Sequence, residues 1–169
     1  MRSHPFLLIG LVASGCGYSS GTGLHERGVH SIALEVVGNE TFRQRLEVEL
    51  GAALARELPV SADLTLAEPG RADAVLQVII TNADERTLVS GLPAKAGAPA
   101  GQRSFVGEGA FEGRVSMRLV GRAGNLLLQR RILDRTEFRS AIGENLTSAR
   151  LELVEDLARK IVLALGSDF

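Results

Sequence analysis

The chain is 169 residues long, with 19 basic and 20 acidic residues, a formal charge of -1, a single Cys and no Trp. Near-neutral charge gives no global attraction to nucleic acid, and the scarcity of aromatic rings removes the stacking platforms that single strands prefer. One cysteine excludes an internal disulfide, and the length suits one domain with a sizeable core.

Residues 1–15 read as a short export signal: Arg2 in a polar start, an apolar run from Phe6 to Val12, then the small residues Ala13, Ser14 and Gly15. That run is too short to cross a bilayer, which takes about 20 residues as a helix. Cys16 closes the stretch, and Ala-Ser-Gly-Cys resembles the lipobox of bacterial lipoproteins, with Ala13 where Leu is commonest. The resemblance implies cleavage before Cys16 and acylation of its thiol, with more than one acyl chain for stable anchoring. Residues 16–29 then read as the acylated cysteine and a flexible Gly/Ser-rich tether, with the folded domain over 30–169.

Ser31 to Val37 (SIALEVV) is apolar and β-rich enough for a strand buried on both faces. Thr41 with Gln44 three residues on is a capping-box pattern, so a helix is expected from Phe42. Its apolar stripe runs through Phe42, Leu46, Leu50, Leu54 and Leu58, and Pro59 ends it. A short strand near Asp63 to Ala67 and a Pro69-Gly70 turn lead to a stronger strand, Ala74 to Thr81, which runs on towards Leu88. Gly91 to Gln102 is nearly all Gly, Ala and Pro and reads as a long loop.

Phe111, Val115, Met117 and Leu119 share one parity, with Glu112, Arg114, Ser116 and Arg118 on the other, the alternation of a strand with one wet face. Gly121 to Asn125 turns the chain, and Leu126 to Phe138 returns with Leu126, Leu128, Ile132 and Phe138 towards the core. A last helix starts at Glu144 or Asn145, carries an apolar stripe from Leu146 to Leu165 and is capped by Gly166. The expected fold is α+β: two helices packed on one face of a mostly antiparallel four-stranded sheet, a two-layer sandwich.

No catalytic set emerges. Beyond the signal only His25 and His30 remain, one in the expected tether and one at the start of a strand, so no metal site and no acid–base pair is expected. Serines lack a Gly-x-Ser-x-Gly context, and Gly107 with Gly109 sits in a strand-like region where no phosphate loop forms. Asn39-Glu-Thr41 and Asn145-Leu-Thr147 are better helix caps than glycosylation acceptors. The expectation is a non-enzyme with no cofactor beyond the covalent lipid on Cys16.

Charge is concentrated in one place. Between Phe111 and Arg139 stand seven arginines against Glu112, Asp134 and Glu137, and strand parity groups Arg114, Arg118, Arg131 and Arg135 on the solvent face of the hairpin. Such a face either keeps a sheet from aggregating or binds anions, since guanidinium forks match phosphate and carboxylate geometry.

Gly-Cys-Gly-Tyr (Gly15 to Tyr18), SIALEVV, GNETF (Gly38 to Phe42), Arg45-Leu-Glu-Val-Glu-Leu50, Ala55-Arg-Glu-Leu58 and Ala72-Asp-Ala-Val-Leu76, in this order, resemble the lipopolysaccharide-assembly lipoprotein family LptE. The resemblance implies an outer-membrane lipoprotein facing the periplasm. It also implies a β-barrel partner, LptD, whose lumen it occupies, and contact with lipopolysaccharide. Gly17, not Asp, follows the cysteine, in keeping with outer-membrane sorting in some bacteria. The competing reading is an adaptor lipoprotein of another envelope complex that binds protein; a solute-binding lipoprotein would need an enclosed apolar cavity.

Overall fold

The computed structural model describes residues 23–62, 64–91 and 105–166. The expected signal peptide, Cys16 and all but Gly91 of the Gly/Ala/Pro stretch lie outside the described residues.

The first element is a helical turn, α1 (Gly23–Glu26), in which Leu24 is fully buried; Val29 is buried after it. The tether expected over 16–29 therefore does not include its last part. Two apolar side chains on a polar stretch are enough to dock it on the core.

β1 (Ser31–Leu34) and β2 (Gly38–Asn39) follow one another along one edge of the long strand β4 (Ala74–Gly91), both parallel to it. The chain leaves that edge between them, so the strand expected over Ser31 to Val37 is broken and Val36 stands 91% exposed. Between β2 and β4 come α2 (Leu46–Ser61) and β3 (Thr65–Leu66), the latter parallel to β1 on its outer side. A helical crossover gives the chain the length to return in the same direction. This half of the sheet is accordingly parallel, where an antiparallel one was expected.

β5 (Phe105–Gly121) and β6 (Leu126–Arg139) continue from β4 as an antiparallel meander. The sheet is mixed and six-stranded, ordered β3-β1-β4-β5-β6 with β2 also on β4. A 3-10 turn (Ser140–Ile142) then leads to α3 (Leu146–Gly166).

The two long helices start by different means. Before α2 the Thr41–Gln44 box does not form; instead Asn39 Oδ1 accepts the Thr41 N–H at 2.9 Å and Nδ2 donates to the Arg43 carbonyl at 2.8 Å and to Glu47 at 2.6 Å. Arg45 takes φ 71°, the regular helix begins only at Leu46, and Phe42 is left exposed. Pro59 does not end the helix, which runs two residues further to Ser61. At α3 the expected cap forms: Asn145 Oδ1 accepts the N–H groups of Thr147 at 2.8 Å and Ser148 at 3.2 Å, and Ser148 Oγ accepts the Asn145 N–H at 3.0 Å.

Leu46, Leu50, Leu54 and Leu58 of α2 and Leu153, Leu157, Ile161 and Leu165 of α3 are buried in one cluster with the apolar parity of the sheet. β5 keeps the predicted alternation, with Phe111, Val115, Met117 and Leu119 buried and Arg114 and Arg118 exposed. α3 comes so close at Gly113 that an added Cβ would lie 2.9 Å from Leu153 and 3.0 Å from Leu157. On β6 Leu128 and Phe138 are buried, but Leu126 is exposed, because the β5–β6 register shifts between Leu119 and Val120.

Candidate functional site

With α2 and α3 packed on one face, the other face of β4, β5 and β6 is left to solvent, and the four predicted arginines are on it. Arg114 and Arg118 of β5 alternate with buried Val115 and Met117, and Arg131 and Arg135 of β6 alternate with Ile132 and Asp134. The register pairs Arg118 with Gln129, Ser116 with Arg131, Arg114 with Leu133 and Glu112 with Arg135. No two arginines are directly opposed. Each is instead the diagonal neighbour of the next, in the zigzag Arg118, Arg131, Arg114, Arg135, with a diagonal spacing of about 7–8 Å. Guanidiniums on such steps can converge on one anionic group without direct cross-strand repulsion.

Their surroundings differ. Arg135 is paired with Glu137 at 2.8 Å on its own strand. At the far end Arg139 approaches Glu108 at 3.7 Å, and Glu112 is held by Arg86 of β4 at 3.1 Å. Among the described residues Arg114, Arg118 and Arg131 have no ion pair, so their charge is the least compensated on the face.

Arg86 was not legible as part of this face. A register shift between Ile80 and Asn82 inserts Thr81 as a bulge, and beyond it the even-numbered Asn82, Asp84 and Arg86 turn to the side where Gln77 and Ile79 stand before it. Simple alternation from Ala74 would have put Arg86 on the core side.

A shallow groove of about 310 Å³, also absent from the sequence reading, adjoins Arg118. It opens where the chain detours between β1 and β2, and is lined by Glu35, Val36, Gln77, Ile79 and Ser116 as well as Arg118. Gln77 Nε2 donates to Glu35 Oε2 at 2.8 Å across it. The groove thus sets one carboxylate, one guanidinium and two exposed aliphatic side chains side by side.

Two carboxylates are held below the ordinary range, and both serve the scaffold. The Asn39 amide lowers Glu47. Asp73 is lowered first by the Ser31 hydroxyl at 2.8 Å, then by the His30 N–H, with the Ser31 N–H and the Arg122 charge adding to these. His25 and His30 face each other with ring centroids 4.9 Å apart beside α1, away from the arginine zigzag. Among the described residues no three His, Cys, Asp or Glu side chains come together as a metal site, and no helix is long and apolar enough to cross a membrane.

Helices on one face of a mixed sheet, with the opposite face bare and carrying three arginines without an ion pair among the described residues, define a two-layer α+β domain with one open sheet face. The family model for lipopolysaccharide assembly, LptE, matches residues 29–165, and the chain belongs to that family. No curated protein matches the sequence.

Solved structures share the fold at low identity. A putative lipoprotein from Caulobacter crescentus is 16% identical, covering 84% of this chain and 92% of that one, with TM-score 0.50. PelC from Paraburkholderia phytofirmans, a dodecamer, is 14% identical over 83% of this chain and 89% of that one, with TM-score 0.51. An uncharacterized lipoprotein B from Nitrosomonas europaea is 13% identical over 82% and 83% of the two chains, with TM-score 0.52.

Proposed function

We propose that this chain is an outer-membrane lipoprotein, held at the periplasmic side through acylated Cys16, that works as the non-catalytic partner of an LptD-like β-barrel in lipopolysaccharide assembly. Family membership over residues 29–165 is the observation that carries this reading. The bare sheet face supports it. Lipopolysaccharide is a polyanion, and Arg118, Arg131, Arg114 and Arg135 offer a row of forked donors spaced for successive anionic groups. The domain contributes a rigid, preorganised surface to the barrel, and the lipid keeps it at the membrane where the barrel stands.

Extraction of the native membrane with mild detergent, followed by affinity isolation of this chain, tests the reading. An outer-membrane β-barrel protein should copurify in stoichiometric amount. Isolation that repeatedly returns no barrel, or returns a different envelope complex, sinks it. Mass spectrometry of the native protein should find Cys16 at its N-terminus with acyl chains attached, and an unmodified thiol there would argue against the lipid anchor.

A further inference from the structure

β6 is the last strand of the sheet, so every second residue along it turns its N–H and C=O away from β5. Two contacts show which parity this is. The Arg135 N–H donates to Asp134 Oδ1 at 2.8 Å, and the Arg139 N–H donates to Glu144 Oε2 at 2.9 Å. The β5–β6 register runs without a shift from Leu128 to Arg139, so Gln129, Arg131 and Leu133 face outward as well.

An outward edge is a template for one more strand, and proteins block it with charges, bulges or covering elements. Here the block is partial. Carboxylates cover the donors of residues 135 and 139, and the first of them, Asp134, is fixed by Lys160 Nζ at 2.7 Å. Among the described residues no side chain covers the donors of Gln129, Arg131 or Leu133.

The open stretch is also positively charged. Arg130 and Arg131 are both exposed, on opposite faces of the strand, and Arg118 stands directly across from Gln129. A second copy of this chain fits poorly: antiparallel pairing about the middle of the stretch sets Arg131 against Arg131, and sliding by two residues sets Arg130 against Arg130. A strand with carboxylates on both faces meets the same groups as attraction.

We propose that residues 129–133 at the β6 edge take an extended acidic segment of a partner protein as an added strand of the sheet. The main chain of that segment would bond Gln129, Arg131 and Leu133, giving affinity. Its carboxylates beside Arg130 and Arg131 would give register.

The test uses the mature protein in mild detergent and a fluorescent Glu–Val peptide of repeated Glu-Glu-Val-Val, which sets carboxylates on both faces of a strand, with a Lys–Val peptide of repeated Lys-Lys-Val-Val as control. The Glu–Val peptide is expected to bind and to move the backbone amide resonances of Gln129, Arg131 and Leu133. The Lys–Val peptide is expected not to bind. Leu133→Pro removes an outward N–H that the fold does not use and should weaken binding about tenfold. Gln129→Pro repeats the test at a second outward position should the first variant fold poorly, and the resonances of the unaltered protein need no variant at all. Binding that leaves those amides unmoved, equal binding of both peptides, or no binding of the Glu–Val peptide overturns the proposal.

Discussion

Lys160 of α3 places its ammonium 2.7 Å from Asp134 Oδ1 on β6, while Oδ2 of the same carboxylate is buried with no hydrogen-bond partner among the described residues. The Asp134 side chain is 11% exposed and that of Lys160 is 47% exposed, so the acid bears most of the desolvation. Lys160→Met should cost about 1–3 kcal/mol, because it leaves a buried carboxylate short of its strongest partner. Adding Asp134→Leu should recover most of that loss, since removing both polar partners removes the unmet demand as well. Urea unfolding of the two variants and the parent checks this; a neutral Lys160→Met would show that solvent already screens the pair.

Phe138 crosses Gly109, its partner on β5, so closely that a Cβ added to the glycine would lie 2.8 Å from Cε1 of the ring. Gly109→Ala should therefore destabilise by about 1–3 kcal/mol through overpacking. A companion change, Phe138→Leu, should make the alanine better tolerated. Thermal melts of the single and double variants decide whether the ring is the obstacle.

Asp73 ties the start of β1 to the approach to β4 by accepting from Ser31 and His30, and these bonds hold its folded pKa below that of the unfolded chain. A carboxylate depressed in the folded state stabilises the fold above its unfolded pKa, about 3.9. The contribution then fades as pH falls through the lower folded value. Asp73→Asn should lower the melting temperature at neutral pH, and its curve should converge with that of the parent below about pH 4. Parallel curves down to strong acid would contradict the sign.

Arg114, Arg118, Arg131 and Arg135 changed together to Ser should weaken binding of purified lipopolysaccharide and flatten its dependence on salt. The fold should persist, since exposed single-charge contacts contribute about 0–1 kcal/mol each. Unchanged binding at low ionic strength in a folded variant would remove the anion-binding role from this face while leaving family membership intact. Arg86→Ser, which frees Glu112, should weaken binding in the same direction by placing an uncompensated carboxylate beside Arg114 and Arg135.

Much of this architecture is written in local periods. The parity of Phe111 to Leu119 sets which side of β5 is buried, and hence that Arg114 and Arg118 share a face with Arg131 and Arg135, because alternation within a strand is a property of the backbone itself. The leucine stripe of α2 and the Asn145 cap of α3 are local in the same sense. The helix start at Leu46 was missed because Asn39, three residues ahead of Phe42, bonds the intervening backbone and competes with the Thr41 box.

Relations between distant segments belong to the tertiary structure alone. Parallel pairing of β1 and β2 with β4 depends on where the α2 crossover returns, and the detour that opens the groove at Glu35 and Val36 exists only because both short strands share one edge. The Thr81 bulge turns Arg86 onto the arginine face, and Lys160 meets Asp134 across 26 positions of sequence. Nothing in the residues around each of these carries the signal, because the free energy that selects them is gained between strands and helices, after the chain has closed.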